Sequence, residues 1–114
     1  MMNEKVLVVC EKSEGYKYQG PRYKKLGPHS GEEFRDDYLI PWLDMLTEAE
    51  KAAVDFSGTI VYMPSFLEES FGGAIRANGK NKEKLEHIEF LNMDKIWEEK
   101  LLGYIKDAGP RVKK

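Results

Sequence analysis

Three short apolar runs, set apart by stretches of helical periodicity, restrict the fold of this chain more than any other feature. "KVLVVC" (5–10) is β-branched and almost continuously apolar. It reads as a strand covered on both faces. "AAVDFSG" (52–58) reads as a second buried strand, and "HIEFLN" (87–92) alternates like a strand with one wetter face. "TIVYM" (59–63) follows the second run as a further extended segment, after a turn or bulge at Ser57–Gly58. Alternation of strands with helices implies an α/β fold with parallel inner pairs. The expectation is one domain over 1–114: a small mixed sheet of about four strands packed against helices.

The intervening stretches carry the helices. In 30–51, Ser30 and Glu33 fit a capping box, and Phe34, Tyr38, Trp42 and Leu46 recur every four residues. Pro41 interrupts this stretch and predicts either a kink near Ile40 or two helices meeting there, with Pro41 at the start of the second. A helix over 64–79 places Leu67, Phe71, Ala74 and Ile75 on one face, in spite of Gly72 and Gly73. "KNKEKLE" (80–86) reads as polar and exposed, and 93–109 as a last amphipathic helix ending at Gly109–Pro110. Residues 11–29 read as a long loop, rich in glycine, proline and tyrosine.

Composition narrows the function classes. With 18 basic and 20 acidic residues, the net charge of −2 gives no global attraction to nucleic acid or an anionic membrane. A local cluster, Lys17, Arg22, Lys24 and Lys25, is either a solvated loop or an anion patch, and Arg111, Lys113 and Lys114 form a basic tail. No apolar run reaches the roughly 20 residues of a membrane span, and the N-terminus lacks the pattern of a signal peptide. A single cysteine, Cys10, allows no internal disulfide and fits a reducing cytoplasm, where it reads as a small buried hydrophobe.

Few motifs carry chemistry. Cys10, His29 and His87 lack the paired spacing of a zinc site, and neither a phosphate loop nor a Gly-x-Ser-x-Gly elbow occurs. No cofactor is expected. Glu68–Glu69 and Asp36–Asp37 fall early in helices, where the dipole favours carboxylates. Ser65 is the residue to explain. With Glu68 it fits a capping box; a phosphate on it would meet free backbone amides; a nucleophilic role has the least support, since no base is placed near it.

"AVDFSGTIVYMPSFLEESFGGAI" resembles the STAS-like domain family, distant relatives of bacterial anti-sigma-factor antagonists. The resemblance runs through Asp55, Phe56, Gly58, Ser65, Phe66, Glu69, Phe71 and Gly72, with upstream support from Gly31 and Arg35 and downstream support from "HIEFLN". It implies a non-enzymatic regulatory module, cytoplasmic and bacterial, that binds a protein partner, a kinase-type ATPase in the family's best-known members. The partner surface it implies is the helix start Pro64–Glu69 with Asp55 and Ser57: in all Asp55, Ser57, Pro64, Ser65, Phe66, Glu68 and Glu69. Met63, Pro64, Ser65 and Phe66 fall where classical members read Asp-Ser-Ser-Gly. The usual phospho-acceptor position is thus Pro64, and Ser65 matches its neighbour. The alternative is a small-ligand or nucleotide-binding domain, with Lys17, Arg22, Lys24 and Lys25 holding phosphate and the tyrosines of loop 16–25 stacking a base.

Overall fold

A computed structural model describes residues 5–47 and 51–109. Strand β1 (Lys5–Val8) runs into a helical turn, α1 (Val9–Lys12). Two 3₁₀ turns, Glu14–Lys17 and Lys24–Leu26, punctuate the loop that follows. Helix α2 occupies 31–44, strand β2 Ala52–Asp55 and helix α3 64–77. Helix α4 (Lys80–Glu86), strand β3 (Glu89–Leu91) and helix α5 (Lys95–Asp107) complete the order.

The sheet corrects the expected strand count. Among the described residues it has three strands rather than about four, ordered β1-β2-β3, and both pairings are parallel rather than mixed. The reason lies at Gly58. A turn closed by Thr59 N–H on the Phe56 carbonyl, with Gly58 at φ 89°, carries the chain off the sheet after Phe56. Segment 59–63 then pairs with the N-terminal loop instead. The amides of Ile60 and Val61 both donate to the Lys17 carbonyl, and Tyr18 forms an isolated parallel bridge with Val61.

Central β2 is buried along Ala52, Ala53 and Val54. By contrast, β1 is an edge strand with one covered face: Leu7 is buried while Val6 is 44% exposed. Its apolar run is also shorter than it looks, because Val9 enters the core from α1. Cys10 is half-buried, its sulfur 3.5 Å from the Thr59 hydroxyl.

Helix α2 starts as its sequence predicts. The Ser30 hydroxyl accepts from Glu33 N–H at 3.0 Å, and the Glu33 carboxylate accepts from His29 N–H at 2.8 Å. Pro41 is accommodated without a break. The turn Arg35–Leu39 widens to π geometry, between helical segments Gly31–Phe34 and Ile40–Asp44. Proline offers no N–H to the preceding turn, and across the wider turn the Ile40 N–H donates to the Arg35 carbonyl. Helix α3 has the same construction: Pro64–Leu67, a π turn Glu68–Gly72, then Gly73–Ala77.

The polar run 80–86 is less exposed than its composition suggests. Asn81 and Leu85 are buried, and Asn81 donates to the Ala74 carbonyl. Lys82 donates to the Lys106 and Ala108 carbonyls at the end of α5, and Lys84 to the Leu43 carbonyl in the last turn of α2. One short helix thereby satisfies C-terminal carbonyls of two others. The core itself is aromatic: Phe34, Phe56, Phe66, Phe71 and Phe90 are buried together, with Tyr16 from the loop among them. The basic tail, the stop at Pro110 and residues 48–50 of the expected helix lie outside the described residues.

Candidate functional site

Helices α2 and α3 cross where Gly31 meets Phe66. A Cβ on Gly31 would stand 2.6 Å from the Phe66 carbonyl oxygen, so this approach requires glycine. One turn along, Arg35 Nη1 reaches Glu69 Oε2 at 2.6 Å. Glu69 is buried, which makes this a largely desolvated ion pair. Gly73 leaves room for it: a Cβ there would sit 2.9 Å from Arg35 Nη1.

Two further guanidiniums close on the same carboxylates. Arg22, from the loop, reaches Glu68 at 2.6 Å and Glu69 at 3.2 Å. Arg76, two turns along α3, reaches Glu68 at 2.6 Å and 3.1 Å, and Glu69 at 3.6 Å. The Arg76 bond, then Arg22, holds the Glu68 carboxyl below its ordinary range against the opposing effect of burial. Hydrogen bonding to Glu68 in turn raises Arg22 and Arg76. Three arginines therefore share two glutamates, and the cluster ties loop, α2 and α3 together. Both carboxylates of the expected helix-start surface are engaged in this internal clamp.

At the start of α3, Met63 is the N-cap residue and Pro64 the first helical one. Ser65 is the second, already inside the helix, and the expected capping box does not form. Glu68 turns to Arg22 and Arg76 instead of reaching back. The Met63 amide is satisfied by the Gln19 side chain at 2.8 Å. Phe66 is wholly buried in the core. Asp55, at the end of β2, accepts from Ser57 N–H at 2.8 Å and from the Asn92 side chain at 2.9 Å. Burial pushes its carboxyl up, but these bonds outweigh it and the net shift is downward. Asp55 thus pins the turn after β2 to the end of β3.

What lies open is the apolar segment leading into the helix. Ile60 is 59% exposed, Val61 39% and Met63 38%, and Tyr18 beside them is exposed too. Sequence reasoning finds an extended segment in "TIVYM" but misses this surface. Its composition is visible in the sequence; the pairing with Lys17–Gln19 that holds it outside the sheet is not.

The loop cations go to separate acids. Arg22 joins the clamp, Lys24 Nζ lies 3.7 Å from Asp36, and Lys17 Nζ 3.9 Å from Glu14. Lys25 is exposed. Tyr16 is fully buried with its ring edge-on to Phe34 and His29, so it offers no open stacking face. The histidines bond elsewhere. His29 Nε2 lies 2.9 Å from the Ser13 hydroxyl, against Gly15, where a Cβ would be 2.1 Å from the ring. His87 Nδ1 donates to the Glu83 carbonyl. Among the described residues no three His, Cys, Asp or Glu side chains are grouped to hold a metal ion, and no helix is long and apolar enough to cross a membrane.

Gly31 and Arg35 of α2 and Ser65, Phe66 and Glu69 of α3 are among the residues that carried the family resemblance, and a family comparison agrees. The model of the STAS-like domain of unknown function (DUF4325) matches residues 30–96, from the cap of α2 to the first turn of α5. No curated protein and no solved structure matches this chain. The matched segment covers more than half of the sequence and includes Gly31, Arg35, Phe66, Glu69, Phe71 and Gly72. The chain belongs to the STAS-like domain family of unknown function.

Proposed function

We propose that this chain is a non-enzymatic regulatory module that binds a protein partner through the surface leading into α3. The observation that carries this reading is the exposed apolar row Tyr18, Ile60, Val61 and Met63. Large apolar side chains held open on a hydrogen-bonded backbone mark an interaction surface. Here the backbone of 60–63 is bonded to Lys17–Gln19, so the row needs little ordering on binding. Pro64 and Ser65 border it, and the family resemblance is what supports a kinase-type ATPase as the partner class.

Ser65 then serves as the position where charge would be read. A negative group at the second residue of a helix meets the positive end of the dipole, so the fold tolerates it. A partner docked on the neighbouring apolar row would not. Turnover is not part of the proposal: His29 and His87 are engaged with Ser13 and Glu83.

The test is affinity capture from lysate of the source organism, with and without ATP, comparing wild type with an Ile60→Asp/Met63→Asp variant. Both residues are exposed, so the variant keeps its fold. A kinase-type ATPase retained by wild type and lost by the variant is the expected result. A partner held equally by both would place docking elsewhere. Absence of any ATPase partner would remove the kinase-type assignment.

A further inference from the structure

A cavity of about 430 Å³ lies at the other end of β2 from the α3 helix start. Its lining includes Leu46 beyond the end of α2, Ala52 at the start of β2, and Ile88 before β3. Thr47, beyond α2, and Lys80, Glu83, Lys84 and His87, on and just after α4, are polar residues of the same lining. This volume is in the range of small-molecule sites, and its lining sets an apolar floor of three residues beside polar and charged ones.

Two of the polar groups are fixed before any ligand arrives. The Lys84 ammonium is tied to the Leu43 carbonyl at 2.7 Å, which uses one of its three N–H groups. The carbonyl of Glu83 accepts from His87 Nδ1 at 2.8 Å, which leaves Nε2 as the second face of the ring. Among the described residues of this wall, two ammonium groups, Lys80 and Lys84, stand against one carboxylate, Glu83, beside an apolar floor.

We propose that this cavity binds a small organic monoanion: an apolar body on Leu46, Ala52 and Ile88, with its carboxylate received by Lys80 and Lys84. The site is separate from the apolar row before α3 and does not depend on that row being a docking surface. A ligand here would bridge the end of α2, the start of β2 and α4.

Naphthalene-1-acetate is a suitable probe, titrated into the full chain with amide chemical shifts as the readout. Naphthalene-1-methanol and 1-naphthylmethylamine serve as neutral and cationic counterparts. Saturable shifts centred on Leu46, Ala52, Lys84, His87 and Ile88 are expected, with the alcohol and the amine roughly tenfold weaker or worse. Lys80→Glu should weaken the anion about fivefold or more, as reversal of one exposed charge does. The substitution places an acid in the first turn of α4, where the dipole favours it, so the variant folds. Ala52→Leu fills the floor and should abolish binding by all three probes. No saturable shifts, shifts centred elsewhere, or an amine that binds as tightly as the acetate would each overturn the proposal.

Discussion

Arg35 and Glu69 stand 34 residues apart in sequence, yet Nη1 and Oε2 meet at 2.6 Å across the α2–α3 crossing. The pair is tightly constrained, because Gly31 brings the helices together and Gly73 clears the space. Breaking it strands a guanidinium against the core. Glu69→Ala is expected to destabilise by about 3 kcal/mol, since removing one partner leaves the other charge uncompensated. Urea denaturation of the variant checks this. A loss below about 1 kcal/mol would mean that Asp36, already bonded to Arg35, takes over the charge.

Glu68 gives a pH dependence of definite sign. Its folded carboxyl titrates below the ordinary value of 4.5, chiefly through Arg76 and then Arg22. A depressed carboxyl stabilises the fold fully above its unfolded value, and that contribution is lost as pH falls through the folded one. Melting temperature should therefore drop on acidification from the ordinary value downward. Glu68→Gln should flatten that part of the profile and leave its slope near neutrality unchanged. An acid limb identical in wild type and variant would show that other carboxylates carry it.

Much of this is legible in the sequence, and the parts that are not share a cause. Periodicity locates α2, α3 and α5, and Ser30 with Glu33 gives the start of α2, because these signals lie within a few residues of one another. The pattern Gly31-x-x-x-Arg35 and the Phe66, Glu69, Phe71, Gly72 series also point to the right pair of helices. What periodicity does not supply is pairing across the chain. Arg22 reads as a loop cation and is a clamp residue, joined to Glu68 across 46 positions. The segment 59–63 has strand composition but pairs with a loop, since the Gly58 turn removes it from the sheet. Ser65 with Glu68 satisfies a capping rule that Pro64 pre-empts by taking the first helical position.

That displacement makes Ser65 a sharp test. A capping serine replaced by alanine loses on the order of 1 kcal/mol. Ser65 lies past the cap, so Ser65→Ala should change stability by less than about 0.5 kcal/mol. Ser65→Asp should be neutral or slightly stabilising, given the helix dipole, and should weaken partner capture. An aspartate variant that captures the partner as well as wild type would remove Ser65 from the regulatory reading.

Lys82 is an unusual helix stop, contributed by a different helix. Its ammonium bonds the Lys106 and Ala108 carbonyls at 2.8 Å and 2.6 Å. Lys82→Met keeps the aliphatic stem and removes both bonds. The expected cost is about 1 kcal/mol, with faster amide exchange in the last turn of α5. Unchanged exchange there would show that water replaces the lysine without loss.

The glycines offer a paired experiment with opposite signs. Gly31 needs its missing side chain: a Cβ would lie 2.6 Å from a backbone oxygen of α3, which no side-chain rotation can relieve. Gly31→Ala must push the helices apart, stretching the Arg35–Glu69 contact, and should destabilise by roughly 1–3 kcal/mol. Gly103 is inside α5, and nothing lies within 4 Å of the place a Cβ would take, so alanine meets open space. Gly103→Ala should stabilise by up to about 1 kcal/mol through helix propensity alone. Denaturation midpoints of the two variants, measured side by side, separate close approach from propensity. If Gly31→Ala were also stabilising, the α2–α3 crossing would be looser than the Gly31–Phe66 contact requires, and the clamp would lose its geometric basis.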